Sequence, residues 1–282
     1  MNPRRAMLVL LAALLVTESS AATNDSGFQK PAARPTNPSP GRPATLSPSD
    51  GERDGVRGIA SDQSLRAEQH LDPAQSEGRA LAQQLLSLKP EAGFTNIGKL
   101  VIRGPKKQRR EVDYNCRVIV TATNWTSHYS ASHGTNVLPG FSVEHRDGST
   151  NRYFDDHTNL LNATQIAASF AGSDFSLADL GLEFFHWPNQ RVVKWEMKRS
   201  FGCKVLESRN PEPATGAYSR VVSWIHTETG GLIQAEAYDA RGKLLKEFRP
   251  TETEKVNGRH ELKEMEIENV QAGTRTTLVF EL

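Results

Sequence analysis

The chain has 282 residues and a formal net charge of +1. Such a balance produces no strong field toward nucleic acid or an acidic membrane surface, so neither is expected as a partner. Two cysteines exclude a disulfide-dense scaffold, and after the N-terminal region no stretch is long and apolar enough for a membrane-spanning helix.

The first 21 residues have the three-part form of a secretory signal. Arg4 and Arg5 supply positive charge, Met7 to Val16 is an unbroken apolar run, and Ser19-Ser20-Ala21-Ala22 supplies small residues for cleavage. Export to the periplasm with cleavage near Ala21 is the expectation. Residues 22–71 are rich in Pro, Ser, Thr, Gly and Asp. Pro31, Pro35, Pro38, Pro40, Pro43 and Pro48 interrupt sparse apolar residues, which is the composition of a disordered linker.

One domain is expected over residues 72–282. It opens with a helix. Asp72 suits the N-cap and Pro73 the first helical position, while Leu81, Leu85 and Leu88 make one apolar stripe ended by Pro90 and Gly93. The period then changes to two. Cys116, Val118, Val120 and Ala122 alternate with polar or outward residues, and so do Val193, Trp195 and Met197. Ile233, Ala235 and Ala237 follow, then Lys263, Met265 and Ile267, and finally Thr276, Leu278 and Phe280. Asp147-Gly148, Thr229-Gly230-Gly231, Arg241-Gly242, Asn257-Gly258 and Ala272-Gly273 fall between strand segments. Glycine accepts the positive φ of tight hairpins, so the connections predict an antiparallel meander. The basic run Lys106-Lys107-Gln108-Arg109-Arg110 follows Gly104-Pro105 and reads as a hairpin tip.

Residues 163–181 break the alternation. Thr164 to Phe170 and Ser176 to Leu180 read as two short helices, the second capped by Ser173 or Asp174. The fold class is therefore mainly β with a few helices: a curled antiparallel sheet, an N-terminal helix and a short helical lid.

No nucleophile elbow, Walker loop, dinucleotide fingerprint or zincin motif is present. Asp155-Asp156-His157 is the one tight acid–histidine group. Neighbours on a strand point apart, so a surface turn is expected rather than a metal or acid–base site. No metal, cofactor or enzymatic activity is expected; a hydrolase using this trio is the remote alternative. Cys116 and Cys203, in separate strands of an exported chain, are candidates for a disulfide.

The run FAGSDFSLADL, then Gly202-Cys203-Lys204-Val205-Leu206-Glu207, Val222-Ser223-Trp224-Ile225 and Tyr238-Asp239-Ala240-Arg241-Gly242-Lys243-Leu244 resemble, in order and spacing, the LolA-like lipoprotein-sorting family. The resemblance covers nearly all of the ordered part of the chain. It implies a half-open β-barrel around a hydrophobic cavity, lidded by helices, that holds lipoprotein acyl chains or another lipid in the periplasm. It further implies inner- and outer-membrane lipoprotein machinery as partners of a monomeric carrier. The lipid-contacting residues expected from the lid are Phe170, Phe175, Leu177 and Leu180, and from the sheet Trp125, Trp195 and Met197. A sensor or protein-interaction module with a filled cavity is the alternative.

Overall fold

A computed structural model describes residues 72–282 except Asp147 and Asn257, and excludes the side chains of Arg259 and His260. The signal and linker readings lie outside the described residues.

Helix α1 (Pro73–Leu86) begins as its sequence dictates: the Asp72 carboxylate accepts a hydrogen bond from the Ala74 amide at 2.7 Å, and proline occupies the first turn. It ends at Leu86, two residues before Leu88, with Ser87 as its C-cap. Gly78, Leu81, Ala82 and Leu85 are buried. Gly78 is required by close approach, because a Cβ there would lie 2.5 Å from the Arg191 backbone.

Twelve strands follow: β1 (Phe94–Arg103), β2 (Arg109–Val120), β3 (Asn124–His133), β4 (Asn136–Arg146), β5 (Arg152–Asp155), β6 (Asn189–Lys198), β7 (Phe201–Arg209), β8 (Arg220–His226), β9 (Leu232–Tyr238), β10 (Leu244–Val256), β11 (Arg259–Asn269) and β12 (Thr274–Phe280). They form one antiparallel sheet in the order β5-β4-β3-β2-β1-β12-β11-β10-β9-β8-β7-β6. The sheet is not closed into a barrel: β5 and β6 end it on opposite sides. Two meanders are thus joined where β1 pairs with β12, from Gly98 opposite Phe280 to Arg103 opposite Arg275.

The turns follow the sequence expectation. Gly148, Gly230, Gly242, Gly258 and Gly273 all have positive φ at hairpin connections. The basic run does cap the β1–β2 hairpin, with Lys106 and Lys107 left-handed. Arg110 departs from a purely solvated role, because its guanidinium donates to the carbonyl oxygens of Ala171 and Gly172.

The segment between β5 and β6 connects the two ends of the sheet. It contains α2 (Ala163–Ile166), α3 (Leu177–Leu180) and a 3-10 turn (Glu183–His186). Both helices open with capping boxes, Asn162 with Gln165 and Ser176 with Asp179. Ser176 therefore caps α3. The expected caps Ser173 and Asp174 serve elsewhere: the Asp174 carboxylate accepts from the Thr276 hydroxyl at 2.8 Å.

One face of the sheet meets these covering elements in two apolar clusters. One holds Phe170, Phe175, Leu177 and Leu180 against Leu100, Val112, Tyr129, Phe141, Met265 and Leu278. The other packs α1 and the 3-10 turn on Val192, Leu206, Val221 and Leu232. A smaller cluster of Cys203, Val205, Trp224 and Ile233 lies on the other face, since Val205 and Leu206 alternate along β7.

Candidate functional site

The lid segment is apolar beneath and polar at its margins. Phe170, Phe175, Leu177 and Leu180 are between 0 and 8% exposed and are packed into the sheet. Phe170 meets Phe141 edge to face at 5.3 Å, and Phe175 meets Phe248 in the same way at 6.4 Å. The space left between the lid, β8, β9 and β10 is a void of about 20 Å³ lined by Leu182, Phe184, Val221, Ala235 and Phe248, among others. A void of that size has room for about one water molecule.

Polar ties hold the lid in place. Lys246 donates to the Asp174 carbonyl at 2.6 Å and pairs with the Asp179 carboxylate at 3.2 Å. Both side chains of that ion pair are about nine-tenths buried. Tyr218 donates to the same carboxylate at 2.8 Å. The Tyr129 hydroxyl donates to the Leu180 carbonyl at 3.0 Å, and Asn151 donates to the Gly181 carbonyl at 2.8 Å. Among the described residues, no backbone–backbone hydrogen bond joins residues 162–187 to a strand; the backbone bonds of that segment are internal.

The sheet-side residues are divided. Trp125 is buried on β3 and stacks on its cross-strand neighbour His145, with ring centroids 3.7 Å apart. Trp195 and Met197 are not brought to the interior: they are 62 and 68% exposed. A bulge between Val192 and Lys194 shifts the register, so Val192 is buried and Val193 is not, and Trp195 and Met197, opposite Lys204 and Gly202, share the face of Val192 and Leu206 at an end of the terminal strand that the cluster there does not cover. Trp195 instead carries the Lys204 ammonium 4.8 Å from its ring centre.

The proposed disulfide is absent. Cys116 and Cys203 are both free and buried, on strands seven places apart in the sheet and on opposite faces. Burial pushes the Cys116 thiol up to about 12. Asp155, Asp156 and His157 form a surface turn: Asp155 accepts from the amides of His157 and Asn159, and Asp156 accepts from Gly140. No group of three or more His, Cys, Asp or Glu side chains could hold a metal ion among the described residues.

Sequence reasoning missed a polar group at the end of the sheet near α1. His145, Asn151, Tyr153, Glu183 and His186 come from β4, the β4–β5 connection, β5 and the 3-10 turn. Tyr153 donates to Glu183 at 2.9 Å. Burial lifts the Glu183 carboxyl to about 7, against hydrogen bonds from Tyr153 and Asn151. Burial lowers His145 to about 3, assisted by His186, and lowers His186 to about 4. Both imidazoles are thus neutral. Their members are scattered over some forty positions with no short motif, so only the folded topology assembles them.

A family model described as "-like: Uncharacterized protein" matches residues 153–282. No curated protein sequence matches the chain. Several solved structures resemble it. A domain described as an outer membrane lipoprotein-sorting protein from Vibrio parahaemolyticus superposes with a TM-score of 0.62 at 14% identity, covering 74% of this chain and 92% of that one. A DUF1329 family protein from Desulfovibrio piger gives 0.55 at 20% identity, with 75 and 92% covered. A LolA superfamily protein from Nitrosomonas europaea gives 0.52 at 15% identity, with 75 and 93% covered. Residues 72–282 thus share the fold of these structures: a single antiparallel sheet, not closed into a barrel, with a helical cover.

Proposed function

We propose that this domain is a non-enzymatic periplasmic binder of lipoprotein acyl chains, or of another long apolar ligand, acting in outer-membrane lipoprotein sorting. The ligand occupies the space that Phe170, Phe175, Leu177 and Leu180 now fill. The observation carrying this reading is the attachment of residues 162–187, which make no backbone–backbone hydrogen bond to a strand and meet the sheet through contacts in which at least one partner is a side chain. A segment held in that way can lift without breaking a strand ladder, and its departure uncovers an apolar surface on both sides. Each buried methylene of an acyl chain is worth about 0.8 kcal/mol, so such a ligand would offset the loss of lid packing. The secretory form of residues 1–21 and the likeness to sorting domains support the assignment.

The test is a fluorescent acyl probe added to the purified domain. Saturable binding is expected, with Phe175→Asp and Leu180→Asp abolishing it. Binding that ignores both substitutions would exclude the lid-covered space as its location. The void of about 20 Å³ favours a second reading, a sensor or interaction module whose interior stays filled. That reading expects capture of a protein partner with no co-purified lipid and no probe binding.

A further inference from the structure

The terminal strand β6 runs into β7 through a hairpin that the apolar cover does not reach. α1 packs on the first part of β6, where Gly78 meets Arg191. Beyond Val192 the apolar side chains of β6 and the first of β7 are exposed. Trp195 and Met197, 62 and 68% exposed, stand on the face of Val192. Phe201, 39% exposed, stands on the opposite face with Cys203. Large apolar side chains gathered in the open at one place mark an interaction surface.

The same hairpin is cationic. Lys194, Lys198, Arg199 and Lys204 stand against one carboxylate, Glu196, within it. Glu196 is bridged to Lys194 at 2.7 Å, and Lys204 to Glu77 of α1 at 2.8 Å. Lys198 lies over the Trp224 ring and acts on Glu196 only at longer range, while Arg199, at the turn, donates to the Pro250 carbonyl. Two positive charges are thus left without an ion pair beside three exposed apolar side chains. Glu228 follows Thr227 in the adjoining β8–β9 turn, so the excess is modest and local.

The occupant follows from this arrangement. Addition of a strand along β6 is opposed by the bulge after Val192 and by Lys194 and Lys198, devices that blunt a sheet edge. A protein partner laid on one face of the hairpin would leave the apolar groups of the other face in water. The interfacial zone of a bilayer surrounds an inserted tip. It accepts apolar groups from both faces, holds tryptophan at headgroup depth and brings lipid phosphates to lysine and arginine, whose stems lie along the apolar boundary.

We propose that the β6–β7 hairpin docks this domain on an anionic phospholipid surface. Trp195, Met197 and Phe201 enter the interfacial zone, and Lys198 and Arg199 meet the headgroup phosphates. The net charge of +1 gives the chain no long-range pull toward such a surface, so the attraction is confined to this tip. The surface does not rest on the acyl-chain reading and does not require the lid to move.

Flotation of the purified domain with vesicles tests it, one set of phosphatidylcholine alone and one of equal parts phosphatidylcholine and phosphatidylglycerol. The mixed vesicles should carry the protein, and the neutral ones should carry it more weakly. The double variant Trp195→Ser/Met197→Ser changes exposed side chains only and should weaken binding about tenfold or more. Arg199→Gln should weaken binding to the mixed vesicles about fivefold and to the neutral ones little. Phospholipid brominated on its acyl chains should quench the tryptophan emission of the wild type, and Trp195→Phe should lose that quenching. No flotation with the mixed vesicles would overturn the proposal, as would double-variant binding equal to wild type or quenching that survives Trp195→Phe. Self-association of the protein without lipid, abolished by the double variant, would overturn it in favour of a second copy on this surface; analytical ultracentrifugation reads that. Acyl-probe binding in the double variant should match wild type, so this proposal and the acyl-chain reading fail separately.

Discussion

Lys246 sits where the lid meets the sheet, and its charge is balanced in a space that largely excludes water. Its ammonium reaches both the Asp174 carbonyl and the Asp179 carboxylate, and Tyr218 completes the carboxylate's partners. Removing one member of such a pair leaves the other charge buried, a loss of about 3–5 kcal/mol. Lys246→Met should therefore lower the urea midpoint strongly. It should also raise hydrogen exchange at the amides of residues 170–181 more than elsewhere. Uniform exchange across the domain would show that Lys246 supports the whole fold rather than the lid. The buried histidines and Glu183 make opposite pH contributions. His145 and His186 are neutral when folded but gain protons near 6.5 when unfolded, so the stability they contribute is present above 6.5 and is lost as pH falls toward 4 and 3. Glu183 keeps its proton up to about 7 when folded, so its contribution is present below its ordinary range and is lost as pH rises through 7. Near pH 5.5, unfolding takes up roughly two protons at the histidines and releases roughly one at Glu183, so stability should rise with pH there. His145→Phe should flatten that slope and Glu183→Gln should steepen it, measured as urea midpoints at pH 5 and 6.5.

At the scale of elements, α1 shows how closely helix and strand must fit. The Gly78 Cα faces the Arg191 backbone of β6 with no room for a methyl group. Gly78→Ala should cost about 1–3 kcal/mol through overpacking, despite alanine's better helix propensity. Thermal unfolding measures it, and a neutral result would mean that the helix slides freely over β6. The start of α1 was legible because an N-cap and proline act locally, as were the hairpins whose glycines must adopt positive φ. The apolar lid was legible from Phe170, Phe175, Leu177 and Leu180, whose burial the packing explains. Trp195 and Met197 misled because they lie on the same face as Val192 and Leu206 but at the end of a terminal strand that the apolar cluster on that face does not reach, and period-two alternation carries no warning of where a cover stops. The polar group of His145, Asn151, Tyr153, Glu183 and His186 was illegible for another reason. Its members have ordinary local surroundings in the sequence and acquire their character only through burial.

For the whole molecule, the two thiols record the sheet's two faces. Cys116 lies under the lid and Cys203 lies on the reverse side. Both should resist alkylating reagents in the native protein and react only on unfolding, Cys116 because burial also suppresses its thiolate. Mass spectrometry after brief labelling at pH 8 reads this, and rapid native modification of Cys116 would mean that the lid side opens readily. The strand order has a consequence for biogenesis. Because β1 pairs with β12, the first strand made waits for the last, and an emerging chain presents two growing meanders with bare inner edges until its final residues arrive. A truncation that removes Thr274–Phe280 would leave both halves without their shared seam, so such a chain should be seized by chaperones or proteases instead of persisting as a smaller folded body.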